Sequence, residues 1–112
     1  MSSRSPQCLL EDMQEALGRI RRYVEGLDAN SFISDEKTSD AVVRNLEVIG
    51  EAANRLPDEF CARHDEIEWR KIIGLRHRIV HDYFGVDLAL VWEIVRTNVP
   101  VLAEQLSQIT DS

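Results

Sequence analysis

Between Leu9 and Val24 the apolar residues Leu9, Leu10, Met13, Ala16, Leu17, Ile20, Tyr23 and Val24 return at steps of three and four. That period gathers them on one side of an α-helix. Ser5 followed by Pro6 is a start signal and Gly26 a stop, so the spacing predicts a helix from about Pro6 to Glu25. Glu11, Glu15, Arg19 and Arg22 fall on the opposite side, spaced for i,i+4 pairing. Leu27–Ser34 reads as a connector. Asp35 and Glu36 then suit the positive end of a second helix, which runs to about Leu56 and stops at Pro57. Val42, Leu46, Ile49, Ala53 and Leu56 form its bundle stripe. Gly50 within it costs up to about 1 kcal/mol relative to alanine, and close approach of a neighbouring helix is the use expected of it.

Asp58–His64 is expected to add a short extra turn. A third long helix is predicted from near Glu68 to about Phe84, with Trp69, Ile72, Ile73, Ile79, Val80 and Tyr83 on one side and Gly85 as the stop. Asp87 can cap a fourth, carrying Leu88, Val91, Trp92, Val95, Val99, Leu102 and Leu106, with Pro100 expected to kink or interrupt it. Trp69 and Trp92 read as core. No strand or hairpin signal stands out. The expected fold is all-α: an antiparallel bundle of four to five helices.

At 112 residues the chain has room for one domain, 1–112, with its core at about 6–107. So small a domain leaves apolar surface near its boundary, and pairing with a second copy would ease that. Cys8 and Cys61 form no CxxC and read as idle thiols. No apolar run has the length of a membrane span and no signal peptide is evident, so a cytoplasmic location is expected.

The net charge of −7 argues against a generic nucleic-acid coating protein. Yet Arg70, Lys71, Arg76 and Arg78, with His77 and His81, lie in one stretch without an acid until Asp82. A polyanion would be met there. Histidine moves protons near neutral pH, and arginine can hold a developing phosphorane charge through two directed hydrogen bonds. On one straight helix Arg76 and Tyr83 would lie within about 20° of one face, whereas Arg76 and His81 would be about 140° apart. Either the arginine curls round, or a two-fold partner brings a second copy of the helix alongside; the dimer is preferred. The bland alternatives are an ion pair between Arg76 and Glu47 or Glu51, and a structural His81. His77 and His81 at i,i+4 could hold zinc, with Asp82 or His64 beside them, but no third ligand is fixed by spacing and no metal is expected.

Arg76-x4-His81-x-Tyr83 matches the RX4HXY signature of the HepT family within the HEPN superfamily. Tyr23-Val-Glu-Gly-Leu, Phe32-x2-Asp35, the Asp40–Ala53 block, Trp69–Arg76, Tyr83–Asp87 and Pro100 also resemble that family. The resemblance implies a homodimeric, metal-independent endoribonuclease toxin without a cofactor. His81 would be general acid/base for attack of the ribose 2′-hydroxyl, Arg76 would stabilise the pentacovalent charge, and a 2′,3′-cyclic phosphate would result. His77, Arg78 and Asp82 would support RNA binding. A nucleotidyltransferase antitoxin would transfer AMP from ATP onto Tyr83 and block the site by bulk and charge. His77 stands where the family commonly has asparagine. The rival reading is a non-catalytic HEPN subunit that binds a nucleotide or a partner.

Overall fold

The Ser5 hydroxyl accepts the Cys8 N–H at 3.2 Å, and Pro6 enters the first turn behind it. Helix α1 (Pro6–Tyr23) therefore starts where the sequence signals, and it buries Leu9, Leu10, Met13, Ala16, Leu17 and Ile20. The computed structural model describes residues 4–81 and 85–110, which are almost entirely helical. Helix α3 (Glu36–Arg55) packs along α1 and turns Val42, Leu46, Ile49 and Ala53 into the same core. Its first turn is held by Asp35, whose carboxylate accepts the N–H of Thr38 at 3.1 Å and its hydroxyl at 2.7 Å. The expected extra turn is present as α4 (Asp58–Arg63).

The stretch read as a connector contains a helix, α2 (Ala29–Ser34). Asp28 accepts the Ser31 N–H at 2.8 Å while the Ser31 hydroxyl accepts the Asp28 N–H at 2.9 Å. This reciprocal box starts a helix too short to display an apolar period. Phe32 anchors it in the core, with its ring 5.2 Å from that of Trp92.

The third long helix is also corrected. It is two short helices, α5 (Trp69–Ile73) and α6 (Leu75–Ile79), broken at Gly74. After Ile79 the backbone becomes extended, and β1 (Val80–His81) pairs antiparallel with β2 (Gly85–Val86), Val80 opposite Val86 and His81 opposite Gly85. The apolar run Ile79-Val80 fits a helix end and a strand equally, and its β-branched residues favour the strand. The Asp87 N–H donates to the Ile79 carbonyl at 2.7 Å and so ends the helical ladder there. The break also resets the period: Leu75 is buried, whereas Ile73, expected on the buried side, is exposed.

Five-residue helices do not hold themselves in water. Burial of Trp69 and Ile72 against α3 holds α5, and the Trp69 indole N–H donates to the His64 carbonyl at 2.9 Å. Gly50 makes the approach possible. A Cβ at that position would stand 3.1 Å from the carbonyl oxygen of Ile72.

Helix α7 (Leu88–Thr110) closes the core with Val91, Ile94, Val95, Val99, Leu102 and Leu106. Pro100 lies within it without interrupting it. The proline removes the N–H that would bond to the Arg96 carbonyl, but both residues are on the exposed face, where water can take that carbonyl.

Two outcomes are expected. Gly50→Leu should destabilise by about 2–3 kcal/mol, because overpacking against backbone outweighs the roughly 1 kcal/mol gained in helix propensity. Thermal unfolding checks this, and a variant as stable as wild type would contradict it. Separately, the hydrogen bonds from Ser31 (N–H, then hydroxyl) hold the Asp28 carboxyl below its ordinary 3.8, and those from Thr38 (hydroxyl, then N–H) do the same for Asp35. The folded values are depressed, so this stabilisation is whole above pH 3.8 and is lost as the pH falls through the lower folded values. An Asp28→Asn/Asp35→Asn double variant keeps both caps. Its urea midpoint should fall less on acidification than that of wild type.

Candidate active site

Arg76, His77 and Arg78 form the exposed side of α6, between buried Leu75 and Ile79. Arg76 and His77 line a groove of 740 Å³ with Ile73 and Val80. Its far wall is α3, which contributes Arg44, Glu47, Glu51 and Arg55, with Asp12 of α1 behind them. Carboxylates and guanidiniums thus both line this groove, and Gly50 lies among them without a side chain. Glu47 and Glu51 share the groove with Arg76 but make no ion pair with it among the described residues. Glu51 bonds to Arg55 at 3.3 Å instead.

Arg78 points the other way. It lines a second groove, of 290 Å³, between α5–α6 and α7, together with Lys71, Asn98 and Gln105. The basic stretch is therefore divided between two faces, which a single helix face would not have required.

His81 belongs to neither groove. It sits on β1 with 53% of its side chain exposed, and its Nε2 lies 3.5 Å from Oδ2 of Asp87. Because the helix ends at Ile79, angles drawn along one helix no longer relate Arg76 to His81. Asp82, Tyr83 and Phe84 lie outside the described residues. Asp87 is a residue whose second contact the sequence did not disclose. It was legible as the cap of α7, which it is, its carboxylate accepting the Leu90 N–H at 3.0 Å. Only the hairpin brings it to His81.

His77 and His81 do not share a helix, and among the described residues no group of three or more His, Cys, Asp or Glu side chains is arranged to hold a metal ion. No described helix is long and apolar enough to cross a membrane. Trp69 is core, as expected, and Trp92 is half-buried, with the Arg96 guanidinium 5.8 Å from its ring centre. Cys8 and Cys61 are free thiols, and burial pushes that of Cys61 up.

An exposed arginine two positions beyond a helix break, followed by a histidine in a hairpin, is a placement open to a polyanionic ligand. Comparison with known proteins narrows this. The family model described as "Ribonuclease HepT-like" matches residues 13–109. The chain belongs to the HepT-like ribonuclease family. A relative from Thermococcus cleftensis named "Probable ribonuclease HepT" is 37% identical over 106 residues, covering 95% of this chain and 96% of that protein. Two more carry RNase in their names. One, from Caldanaerobacter subterraneus subsp. tengcongensis, is 34% identical, covering 95% of each chain. The other, from Methanocaldococcus jannaschii, is 33% identical, covering 95% of this chain and 97% of that protein. No solved structure matches. HepT-like membership agrees with the helical fold and with the RX4HXY spacing of Arg76, His81 and Tyr83.

The hairpin that carries His81 turns back through Gly85, whose φ is +75°. A side chain there costs about 1–2 kcal/mol in the left-handed region. Gly85→Ala should therefore loosen the hairpin and speed hydrogen exchange of the Asp87 amide by about five-fold or more, since each 1.4 kcal/mol is ten-fold. Unchanged exchange at that amide would contradict this.

Proposed function

We propose that this chain is an endoribonuclease toxin that works as a two-fold homodimer and is silenced by a nucleotidyltransferase antitoxin. The observation that carries the reading is the exposure of Arg76 and His81 together, in the RX4HXY spacing, in a HepT-like ribonuclease chain. Nothing in the core requires either residue to stand there.

In the proposed reaction His81 takes the proton from a ribose 2′-hydroxyl, and the 2′-oxygen attacks the adjacent phosphorus. Arg76 donates two hydrogen bonds to the charged oxygens of the pentacovalent intermediate. A second histidine, from the two-fold copy, gives a proton to the departing 5′-oxygen. The products are a 2′,3′-cyclic phosphate end and a 5′-hydroxyl end, and no metal takes part. His77 and Arg78 assist in holding RNA, as Asp82 is expected to do from outside the described residues.

Two features support the dimer. Within one chain His81 stands outside the groove that Arg76 lines, so a second copy is the simple way to bring the two groups to one phosphate. That groove also mixes Asp12, Glu47 and Glu51 with Arg44, Arg55 and Arg76 around exposed Ile73. A surface of both charge signs can complement itself across a two-fold axis, whereas a long polyanion would meet its carboxylates. The alternative is a non-catalytic HEPN subunit that binds a nucleotide or a partner, and those same carboxylates suit its partner-binding form.

Silencing would follow from transfer of AMP to Tyr83. The phenolic oxygen attacks the α-phosphorus of ATP and pyrophosphate leaves, which places a negative charge and a nucleotide two residues from His81. The compartment in which this pairing would operate is the cytoplasm.

One set of samples tests these readings. Wild type, Arg76→Ala and His81→Ala are made with and without the neighbouring nucleotidyltransferase gene and assayed on single-stranded RNA in EDTA. Wild type made alone should sediment as a dimer and cut RNA. Each variant should lose about 10²-fold or more of the rate. Co-production should add an adenylyl mass to the tyrosine-bearing peptide and abolish cutting. Equal cutting by wild type and variants, or none by any of them, would favour the binding subunit. Loss of cutting in EDTA alone would require a metal, and full activity from a sedimenting monomer would remove the dimer.

A further inference from the structure

The Asp87 carboxylate is divided between two neighbours. Its Oδ1 accepts the Leu90 N–H at 3.0 Å, which caps α7. Its Oδ2 faces Nε2 of His81 at 3.5 Å. The backbone of each residue is fastened beside the other without a direct bond between them: the Asp87 N–H donates to the Ile79 carbonyl at 2.7 Å, two residues before His81, and His81 is paired with Gly85, two residues before Asp87. Among the described residues Asp87 is the carboxylate within ion-pair distance of His81.

We propose that Asp87 is a positioning residue for His81, fixing the imidazole tautomer that exchanges a proton with RNA. This rests on the ribonuclease reading above. At 3.5 Å the two groups stand at ion-pair distance, and because a carboxylate only accepts hydrogen bonds, closing this contact into one requires the ring nitrogen facing it to carry the hydrogen. In neutral His81 the hydrogen is then on Nε2 and the lone pair on Nδ1, which becomes the atom that takes the 2′-hydroxyl proton. As the ring becomes cationic, Oδ2 lies beside the new charge, and Asp87 itself takes no proton. The same contact limits rotation of a side chain that is otherwise half open to solvent. Capping alone would not demand this residue, because Asn and Ser serve at a helix N-terminus about as well as Asp.

That equivalence separates the two roles. In Asp87→Asn the amide oxygen stays on the Leu90 N–H, which turns the amide NH₂ toward Nε2 and favours the opposite tautomer. Asp87→Ser keeps a cap but does not reach the ring. The full-length protein and both variants are compared by thermal unfolding, by steady-state cleavage of a single-stranded RNA in EDTA, and by ring-¹⁵N spectra of His81. Expected are unchanged melting and a kcat lower by about 10- to 100-fold in both variants. KM should stay within about two-fold, and the ¹⁵N shifts should move from the Nε2–H pattern toward Nδ1–H in Asp87→Asn. Full activity in either variant, unchanged ring shifts, or an activity loss that merely tracks a drop in melting temperature would overturn the proposal. If wild type cuts no RNA, the ribonuclease reading fails by itself, and the ring shifts still decide whether Asp87 orients His81.

Discussion

Helices α3 and α5 meet backbone to backbone, and the rest of the site depends on that meeting. A Cβ at position 50 would press on the Ile72 carbonyl oxygen at 3.1 Å, so the two backbones would have to part by a few tenths of an ångström. Because α5 and α6 are each a turn or so long, neither has an address of its own. Trp69 and Ile72 set α5 against the core, Leu75 and Ile79 do the same for α6, and the polar residues between them are left facing outward. Arg76 and His77 thus receive their groove from apolar neighbours that take no part in chemistry. Gly50 also lines the groove, so one glycine belongs to both the packing and the cleft beside it.

The hairpin is fastened from the other side. Long helices such as α7 leave their first N–H groups unpaired, and Asp87 answers one of them with its carboxylate while its own N–H closes onto Ile79. The start of α7 and the end of α6 are therefore joined through a single residue. His81 lies between these two attachments, which makes a two-rung ladder sufficient to place it. The division of Arg76 and Arg78 between opposite grooves follows from α6 itself, on which positions two apart are turned by about 200°.

The long elements were legible in the sequence. The stripes of α1, α3 and α7, the caps at Ser5, Asp35 and Asp87, and the need for Gly50 were all readable from period and residue chemistry. What escaped reading was short. Helix α2 depends on a reciprocal pair of hydrogen bonds, not on apolar spacing. The break at Gly74 and the strand at Val80 lie within a run whose residues suit helix and strand alike, and tertiary ties to α3 and Asp87 decide the outcome. The motif pointed to the family, but a straight-helix picture does not hold for Arg76 and His81, because α6 ends at Ile79. The contact between His81 and Asp87 exists only once the chain has doubled back.

Pro100 illustrates how narrowly a tolerated residue can be placed. It sits on the wet side of α7, where the carbonyl it leaves without a partner belongs to exposed Arg96. One step earlier, at buried Val99, the same ring would orphan the carbonyl of buried Val95 and leave it in an apolar interior. The helix thus accepts an imino acid at one angular setting and would reject it at the adjacent one, so the compass bearing of a residue on its cylinder matters here as much as its identity.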